Sequence, residues 1–358
     1  TPVLWAVNLK DEMREVSKIL TNRIRTFVGS PIDLLATMMR LFHVMNEKMY
    51  QSANEHRNWS FVGATKYYSG WDTLGRRLSK FPNTFELDEE DYDSSLNEKM
   101  LFTCAKIRFY MLKPKYRTEA IWLWIKNVYR EIIHSFMVCP FGDVLRKCGG
   151  NPSGSFNTIT DNVLVLFTLM SFAWLVLAPP AMCFYQKFMA HVQAVLCGDD
   201  NTWSVSDVAL PFYNARSVAL IWTQIGIKTK TDWWEPRSLV ECWFMSSGFK
   251  LIKHPQLGGV NVYVPYQETQ KIMCSLAFHN KGGTPKWSLL RAAALRIESF
   301  WNETCRDLIW QFIIYLQERY VAELTSVPTG KDYDILTYDD CMSVIKSDSE
   351  IVDLYFGL

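Results

Sequence analysis

Between residues 192 and 205 the sequence alternates, turns and alternates again. Val192-Gln193-Ala194-Val195-Leu196 carries apolar residues at every second position, and Thr202-Trp203-Ser204-Val205 repeats the pattern. Between them lies Cys197-Gly198-Asp199-Asp200-Asn201. Period-two patterns on both sides of a Gly/Asp/Asn cluster predict strand, tight turn, strand. Such a hairpin commits the chain to an antiparallel sheet and sets two adjacent carboxylates at the tip. Like charges so close repel, and Asp has little acid–base chemistry of its own at neutral pH. A divalent cation resolves both problems, because hard oxygen ligands suit Mg2+ or Mn2+. Gly, Asp and Asn are also ordinary turn formers, so the tip takes its meaning from the rest of the chain.

The chain has 358 residues, 49% hydrophobic and 21% charged. That is enough for one large or two to three ordinary domains, and the composition is globular rather than disordered. A net charge of +1 gives no global attraction to nucleic acid, so a polyanion site must come from locally clustered charge. Nine Cys, an odd number without a C-x-x-C pair, point to reduced thiols in a cytosolic setting and to no zinc site. The start at Thr1-Pro2-Val3, without an initiator Met or signal peptide, suggests a piece of a longer chain or polyprotein. The apolar run over residues 163–178 is 16 residues long, short for a membrane span and suited to a buried helix. Asn162 before it and Pro179-Pro180 after it mark its ends. No transmembrane segment is expected.

Basic residues recur at Lys10, Arg14, Lys18, Arg23 and Arg25. Lys10, Arg14 and Lys18 are four apart, so a helix would gather them on one face, with Arg23 and Arg25 alternating on a strand. Such a set suits a triphosphate or a nucleic-acid backbone, although Asp11, Glu12 and Glu15 also fit an ordinary solvated face. Residues 31–80 predict mixed helix and loop. Residues 86–93 then hold six carboxylates in eight positions. Asp88 falls at a strand end, and Asp93 falls just before a helix whose start is marked by a Ser95/Glu98 capping box. Carboxylates this dense repel unless they are solvated or metal-bound.

Residues 113–146 carry an aromatic, basic helical pattern through Trp122, Trp124, Tyr129 and Arg130. Then comes Gly149-Gly150-Asn151-Pro152-Ser153-Gly154, leading into Thr158 and Asn162. The glycines let the loop backbone approach a ligand closely. Thr158 and Asn162 share one face of the following helix and need partners, which a ribose or ordinary core hydrogen bonds would supply. Beyond the hairpin, residues 207–222 predict a helix. Gly226 to Thr231 predicts a turn into a strand, and residues 244–248 and 260–264 predict further strands. From Pro285 onward the pattern is helical.

These stretches together resemble the RNA-dependent RNA polymerases of positive-strand RNA viruses. Lys10-Asp11-Glu12-Met13-Arg14 with Lys18, Arg23 and Arg25 is similar to the family's basic fingers motif. Asp88-x4-Asp93, Ser153-Gly154-x3-Thr158-x3-Asn162 and Gly198-Asp199-Asp200 resemble its first three palm motifs, in order. The fuller wording around Asp88, Asn162 and Asp199 is most similar to astrovirus polymerases. The resemblance implies an α+β right-hand polymerase with an antiparallel palm sheet, partial fingers and a helical thumb. Its domains would be fingers over 1–83, palm over 84–112, an insertion over 113–147, palm over 148–265 and thumb over 266–358. Asp88 and Asp199, assisted by Asp200, would hold two Mg2+ or Mn2+ ions for nucleotidyl transfer. Lys10, Lys18, Arg23 and Arg25 would grip the triphosphate. Asp93, Thr158 and Asn162 would read the ribose, and the Ser153-Gly154 loop would touch nucleotide or template. Template RNA, nascent strand, NTPs and other viral replication proteins are the implied partners. The implied location is host cytoplasm, in membrane-associated replication complexes.

Three departures limit this transfer. Trp234 stands where the family often has the Lys that protonates pyrophosphate, so Lys228 or Lys230 is the candidate general acid. The stretch around Phe244-Met245-Ser246-Ser247 lacks the usual basic residue. Less fingers sequence precedes the basic motif than the family normally has. Two other functions compete. A reverse transcriptase or DNA polymerase on the same palm would place a bulky aromatic where Asp93 stands. A non-catalytic RNA-binding replicase subunit would have no use for carboxylates that repel RNA.

Overall fold

The structure, a computed structural model, describes residues 3–12, 14–231, 233–278, 283–330 and 335–357. Met13 of the basic stretch lies outside the described residues. The chain opens with β1 (Leu4–Leu9), α1 (Val16–Leu20), β2 (Thr26–Gly29), α2 (Ile32–Asn54) and α3 (Gly70–Leu78). It continues through β3 (Asn83–Glu89), α4 (Tyr92–Ser95), α5 (Glu98–Met111), α6 (Glu119–Ile133), β4 (Phe136–Val138) and β5 (Val144–Arg146). Then come α7 (Thr158–Leu177), α8 (Tyr185–His191), β6 (Val192–Cys197), β7 (Asp200–Val205), α9 (Ala215–Gln224) and β8 (Thr229–Lys230). Last are β9 (Trp243–Phe244), β10 (Ser247–Lys253), β11 (Asn261–Gln267) and the helices α10 (Thr269–Ala277), α11 (Pro285–Glu298), α12 (Glu303–Arg319), α13 (Val321–Thr325), α14 (Tyr338–Ser343) and α15 (Asp348–Phe356).

Two compact units result, one of residues 1–64 and 78–238, the other of residues 65–77 and 239–358. The first holds two four-stranded sheets. One, in the order β6-β7-β3-β8, is antiparallel at every step. The other, β2-β1-β4-β5, contains one parallel step, between β1 and β4. The apolar run forms α7, which packs against α5, α8, α9 and β6. By length and composition α7 could cross a membrane, and here Val163, Leu166, Met170, Ala173 and Trp174 on it are buried in the core. An α-helix apolar all round belongs in an interior of this kind. Tyr213 packs against Trp174 in a tilted pair and against Trp203 edge-on, tying α7 to the hairpin strand β7. Aromatic pairs of this geometry contribute about 0.5–1.5 kcal/mol each beyond burial.

The second unit pairs an antiparallel sheet, β11-β10-β9, with the C-terminal helices. One apolar cluster joins Ile272, Leu289, Ile309, Ile313 and Leu316 from α10, α11 and α12. Another gathers Val264, Phe300, Trp301, Ile351 and Tyr355. Residues 239–265 therefore cluster with the helices that follow, and not with the sheet that holds β3 and β7.

Several local expectations change. Lys10, Arg14 and Lys18 do not share a helix face: Lys10 follows β1, Arg14 lies in a loop, and only Lys18 is helical. The backbone N–H of Lys10 donates to Arg25 O at 2.9 Å, extending the β1–β2 pairing and leaving Asp11, Glu12, Arg14 and Glu15 outside any strand or helix. Arg23 and Arg25 precede β2 rather than lying in it. The helix after Asp93 is capped by Asn97, which accepts from Met100 N–H at 3.1 Å. Ser95 instead donates to Tyr92 O at 2.7 Å. The helix expected over 207–222 begins at Ala215, behind an Asn214/Ser217 capping box.

Candidate active site

The hairpin forms as expected. Register Cys197↔Asp200 leaves Gly198 and Asp199 as a two-residue turn, and Gly198 has φ +69°. A turn needing positive φ at its first central residue favours glycine there. β3 lies on the other side of β7, in register Phe85↔Trp203 and Leu87↔Asn201. Asn201 fastens this junction. Its side chain accepts from Leu87 N–H at 3.2 Å and donates to Leu87 O at 2.8 Å. Asp88, one residue past that paired position, therefore lies beside the hairpin end that carries Asp199 and Asp200. All three carboxylates are exposed.

On its other edge β3 pairs with β8, Asp88 opposite Lys230, and Lys230 Nζ lies 3.1 Å from Asp88 Oδ2. Lys228 is exposed, and its carbonyl accepts from Glu90 N–H at 2.8 Å. The two candidate general acids are thus distinguished: Lys230 reaches a carboxylate of the site. Beneath the surface Glu89 is 3% exposed. Burial, then the charges of Asp199 and Asp88, push its carboxyl well above the usual carboxylate range. Among the described residues no three His, Cys, Asp or Glu side chains are already gathered into a metal cluster. Mg2+ in phosphoryl-transfer sites takes one or two carboxylates and completes its shell with substrate phosphate and water. Asp88, Asp199 and Asp200, hard oxygen donors at adjoining strand ends, fit that requirement.

Asp93, in α4, stands next to this group. Burial pushes its carboxyl up, and Asp199 acts the same way, while a hydrogen bond from Asn162 and the charges of Arg25 and Lys147 pull it back. Asn162 Nδ2 donates to Asp93 Oδ1 at 2.5 Å. Asn162 Oδ1 in turn accepts from Asn151 Nδ2 at 2.8 Å. Asp93 and Asn162 are therefore in direct contact. Thr158 is turned away from them: its hydroxyl lies 2.6 Å from Pro152 O and 2.9 Å from Ser155 O, fastening its own loop.

The loop glycine expected to approach a ligand approaches β2 instead. A Cβ on Gly154 would lie 2.2 Å from Val28 O, and Gly154 N–H donates to that oxygen at 2.8 Å. Ser153 Oγ accepts from Val28 N–H at 3.0 Å. This docks the loop on the strand that follows Arg25. Within the basic stretch, Glu12 lies 3.1 Å from Lys10, 3.6 Å from Arg14 and 3.5 Å from Arg25. Partial burial works against the charge of Glu12, but Lys10, Arg25 and Arg14 together hold its carboxyl below the usual range. Lys18 pairs with Glu15 at 3.0 Å, and Arg23 is exposed.

A buried polar network anchors the first turn of α7. Arg108 and Asp161 are both fully buried, with Arg108 Nε donating to Asp161 Oδ1 at 2.7 Å. Arg108 also donates to Asn46 Oδ1 and Thr160 Oγ1, each at 2.9 Å, and Tyr129 OH donates to Asp161 Oδ2 at 2.8 Å. Burial opposes the charge on Arg108, but Asp161 outweighs it and holds the guanidinium above its ordinary range. Asp161 adjoins Asn162, so the network fixes the backbone from which Asn162 projects.

Sequence reasoning missed Lys147, Asn151, Glu89 and this network. Burial pushes the Lys147 ammonium down to about 8, with Asp93 opposing, and its Nζ donates to Gly150 O at 2.5 Å. Asn151 had a visible signal, its place between Gly150 and Pro152 in the loop already singled out. Arg108 had none, being 53 residues from Asp161.

The chain is similar to known viral proteins. It is 27% identical over 322 residues to the genome polyprotein of Soybean mosaic virus (strain N), covering 88% of this chain and 9% of the polyprotein. It is 27% identical over 278 residues to that of Watermelon mosaic virus II, covering 76% and 25%. With the genome polyprotein of Brome streak virus (strain German) it shares 32% identity over 170 residues, covering 48% and 18%. The chain thus spans a quarter or less of these relatives. Among solved structures it is similar to a Sicinivirus 3Dpol RNA-dependent RNA polymerase, with TM-score 0.69, 18% identity, and coverage of 91% of this chain and 68% of that one. That likeness shows the α+β right-hand polymerase fold. The model of the viral RNA-dependent RNA polymerase family matches residues 1–317, and the chain belongs to that family.

Proposed function

We propose that the chain is the RNA-directed RNA polymerase segment of a viral polyprotein, adding ribonucleotides from NTPs to a nascent strand on an RNA template. The single observation that carries this reading is the register that brings Asp88 on β3 beside the Gly198-Asp199 turn. The reaction forms a bond from the 3′-oxygen of the nascent strand to the α-phosphorus and breaks the bond to pyrophosphate. Asp88 and Asp199, with Asp200, would hold two Mg2+ or Mn2+ ions. Bound there, such ions lower the pKa of the 3′-hydroxyl and offset charge at the phosphate.

The chain's own residues supply the rest. Arg25 and Lys10 present positive charge that Glu12 holds in one cluster, and Lys18 and Arg23 extend it toward the triphosphate. Asp93 and Asn162 bind the ribose. Ser153 and Gly154 couple the basic strand to that sugar site through Val28. Lys230, already at the carboxylates, is the favoured proton donor to pyrophosphate, ahead of Lys228. Thr158 serves the site through its loop.

In domain terms, fingers over 1–83, palm over 84–112 and 148–265 with the 113–147 insertion, and thumb over 266–358 remain the assignment. The clustering of 239–265 with the C-terminal helices supports drawing the thumb-side boundary earlier, near 239. The wording of the palm motifs favours a place near astrovirus polymerases. Polyprotein relatives support other viral replication proteins as partners, and the proposed location is host-cytoplasmic replication complexes on membranes. Asp93 hydrogen-bonded to Asn162 favours ribonucleotides over the reverse-transcriptase alternative.

The test is templated incorporation of labelled NTP by the full-length polymerase with Mg2+ or Mn2+. Wild type incorporates, chelator stops it, and Asp88→Ala and Asp199→Ala each abolish it while leaving the fold intact. Near-normal turnover by either variant would sink the metal assignment.

A further inference from the structure

Asn151 has no assigned role, yet its backbone and its side chain both address the sugar-reading pair. Its N–H donates to Asp93 O at 2.8 Å. Its side-chain nitrogen donates to Thr158 O at 3.1 Å and to Asn162 Oδ1 at 2.8 Å. The residue is 3% exposed, and its side-chain oxygen is buried without a hydrogen-bond partner. With its oxygen unpaired, this side chain works through its two N–H groups.

Those two N–H groups set a direction. The Thr158 carbonyl is an acceptor that cannot be reversed, and it fixes which end of Asn151 faces α7. Asn151 then presents an N–H to Asn162, so Asn162 must turn its oxygen toward Asn151 and its nitrogen toward Asp93. An ionised Asp93 accepts only, so it agrees with this orientation. The second N–H of Asn162 is then the group offered to a ribose hydroxyl oxygen. Asp93 offers its other carboxylate oxygen to the same hydroxyl's proton. With the amide reversed, Asn162 would set oxygen against Asp93 and offer the sugar no donor.

Resting on the polymerase reading, we propose that Asn151 is the positioning residue for ribose selection: it locks the amide of Asn162 so that an N–H faces the 2′-hydroxyl. It does not touch the nucleotide. Gly150, with φ +70° and room for a Cβ only 3.0 Å from Asp93 O, and Pro152 hold it in place.

The experiment measures kcat/KM for CTP and dCTP on one RNA template with the full-length polymerase, for wild type, Asn151→Ala and Asn151→Asp. Asn151→Ala removes the lock, and the near-isosteric Asn151→Asp inverts it by replacing the donor with an acceptor. The expected result is a CTP:dCTP preference lowered about tenfold in both variants, the loss of roughly one hydrogen bond, with dCTP use within about twofold of wild type. An unchanged preference in a variant that still uses dCTP overturns the proposal. Equal loss of both substrates in both variants also overturns it, since that is the mark of a merely structural residue. A wild type that incorporates neither substrate overturns the polymerase reading itself, and the proposal falls with it.

Discussion

Removing Arg108 isolates the buried network beneath Asn162. Arg108→Ala strips Asp161 of its ion-pair partner and takes a donor from Asn46 and from Thr160, all within a fully buried cluster. Breaking one side of a buried pair costs about 3–5 kcal/mol, because the remaining charge stays desolvated. For a folding unit of 150–250 residues each kcal/mol moves Tm by about 2–4 °C, so the midpoint should fall by roughly 6–20 °C. Asp161→Leu should cost a similar amount, leaving Arg108 charged and buried. The double variant Arg108→Met/Asp161→Leu removes both charges and should be more stable than either single variant, since apolar replacement of a buried pair is often neutral. Unpaired Tyr129 and Asn46 groups, at about 1–3 kcal/mol each, should keep it below wild type. Thermal melts of wild type, Arg108→Met, Asp161→Leu and the double variant, read as a double-mutant cycle, decide the matter, with Arg108→Ala melted beside them. A loss below about 1 kcal/mol in Arg108→Ala, or additive single effects, would refute the coupling.

Arg25→Ala should raise the NTP KM and lower kcat, together costing about 1.5–3 kcal/mol in kcat/KM as one charge-assisted contact is lost; steady-state kinetics across NTP concentrations check it. Gly154→Ala must push the loop off β2, because its Cβ would sit 2.2 Å from Val28 O. Losing the two hydrogen bonds to Val28 should cost about 1–3 kcal/mol and raise the NTP KM, as melts and kinetics would show. Lys230→Met should lower kcat about a hundredfold or more, the usual contribution of a positioned acid, and Lys228→Met should change it little; equal effects in single-turnover assays would remove Lys230 from the proton-donor role.

Local patterns carried much of the fold. The hairpin and the buried α7 followed from period, turn chemistry and spacing along short stretches, whereas the approach of Asp93 to Asn162, 69 residues apart, was implied only by the family resemblance. What escaped was set by tertiary register. Lys230 meets Asp88 because β8 pairs with β3, and nothing near Lys230 announces that. The basic residues read as one helix face because their spacing is four, but the backbone bond from Lys10 to Arg25 makes them a strand end and a loop around Glu12. Gly154 was legible as a close approach, though not to what. Asn97 outcompeted Ser95 as the helix cap, because Ser95 is spent on the turn that ends α4. The Arg108–Asp161 pair joins two helices across 53 residues of sequence, and no short window could reveal it.

In the proposed mechanism Asp88 and the Gly198-Asp199 turn share a pair of metal ions. Its most direct test is a crystal of the full-length polymerase with a non-hydrolysable NTP and Mn2+, read by anomalous scattering. Two peaks about 3.5–4 Å apart are expected, with both Asp88 and Asp199 carboxylates coordinating and Lys230 released from Asp88 toward the phosphates. Peaks remote from these carboxylates, or Asp88 still paired with Lys230 while the nucleotide is bound, would contradict it.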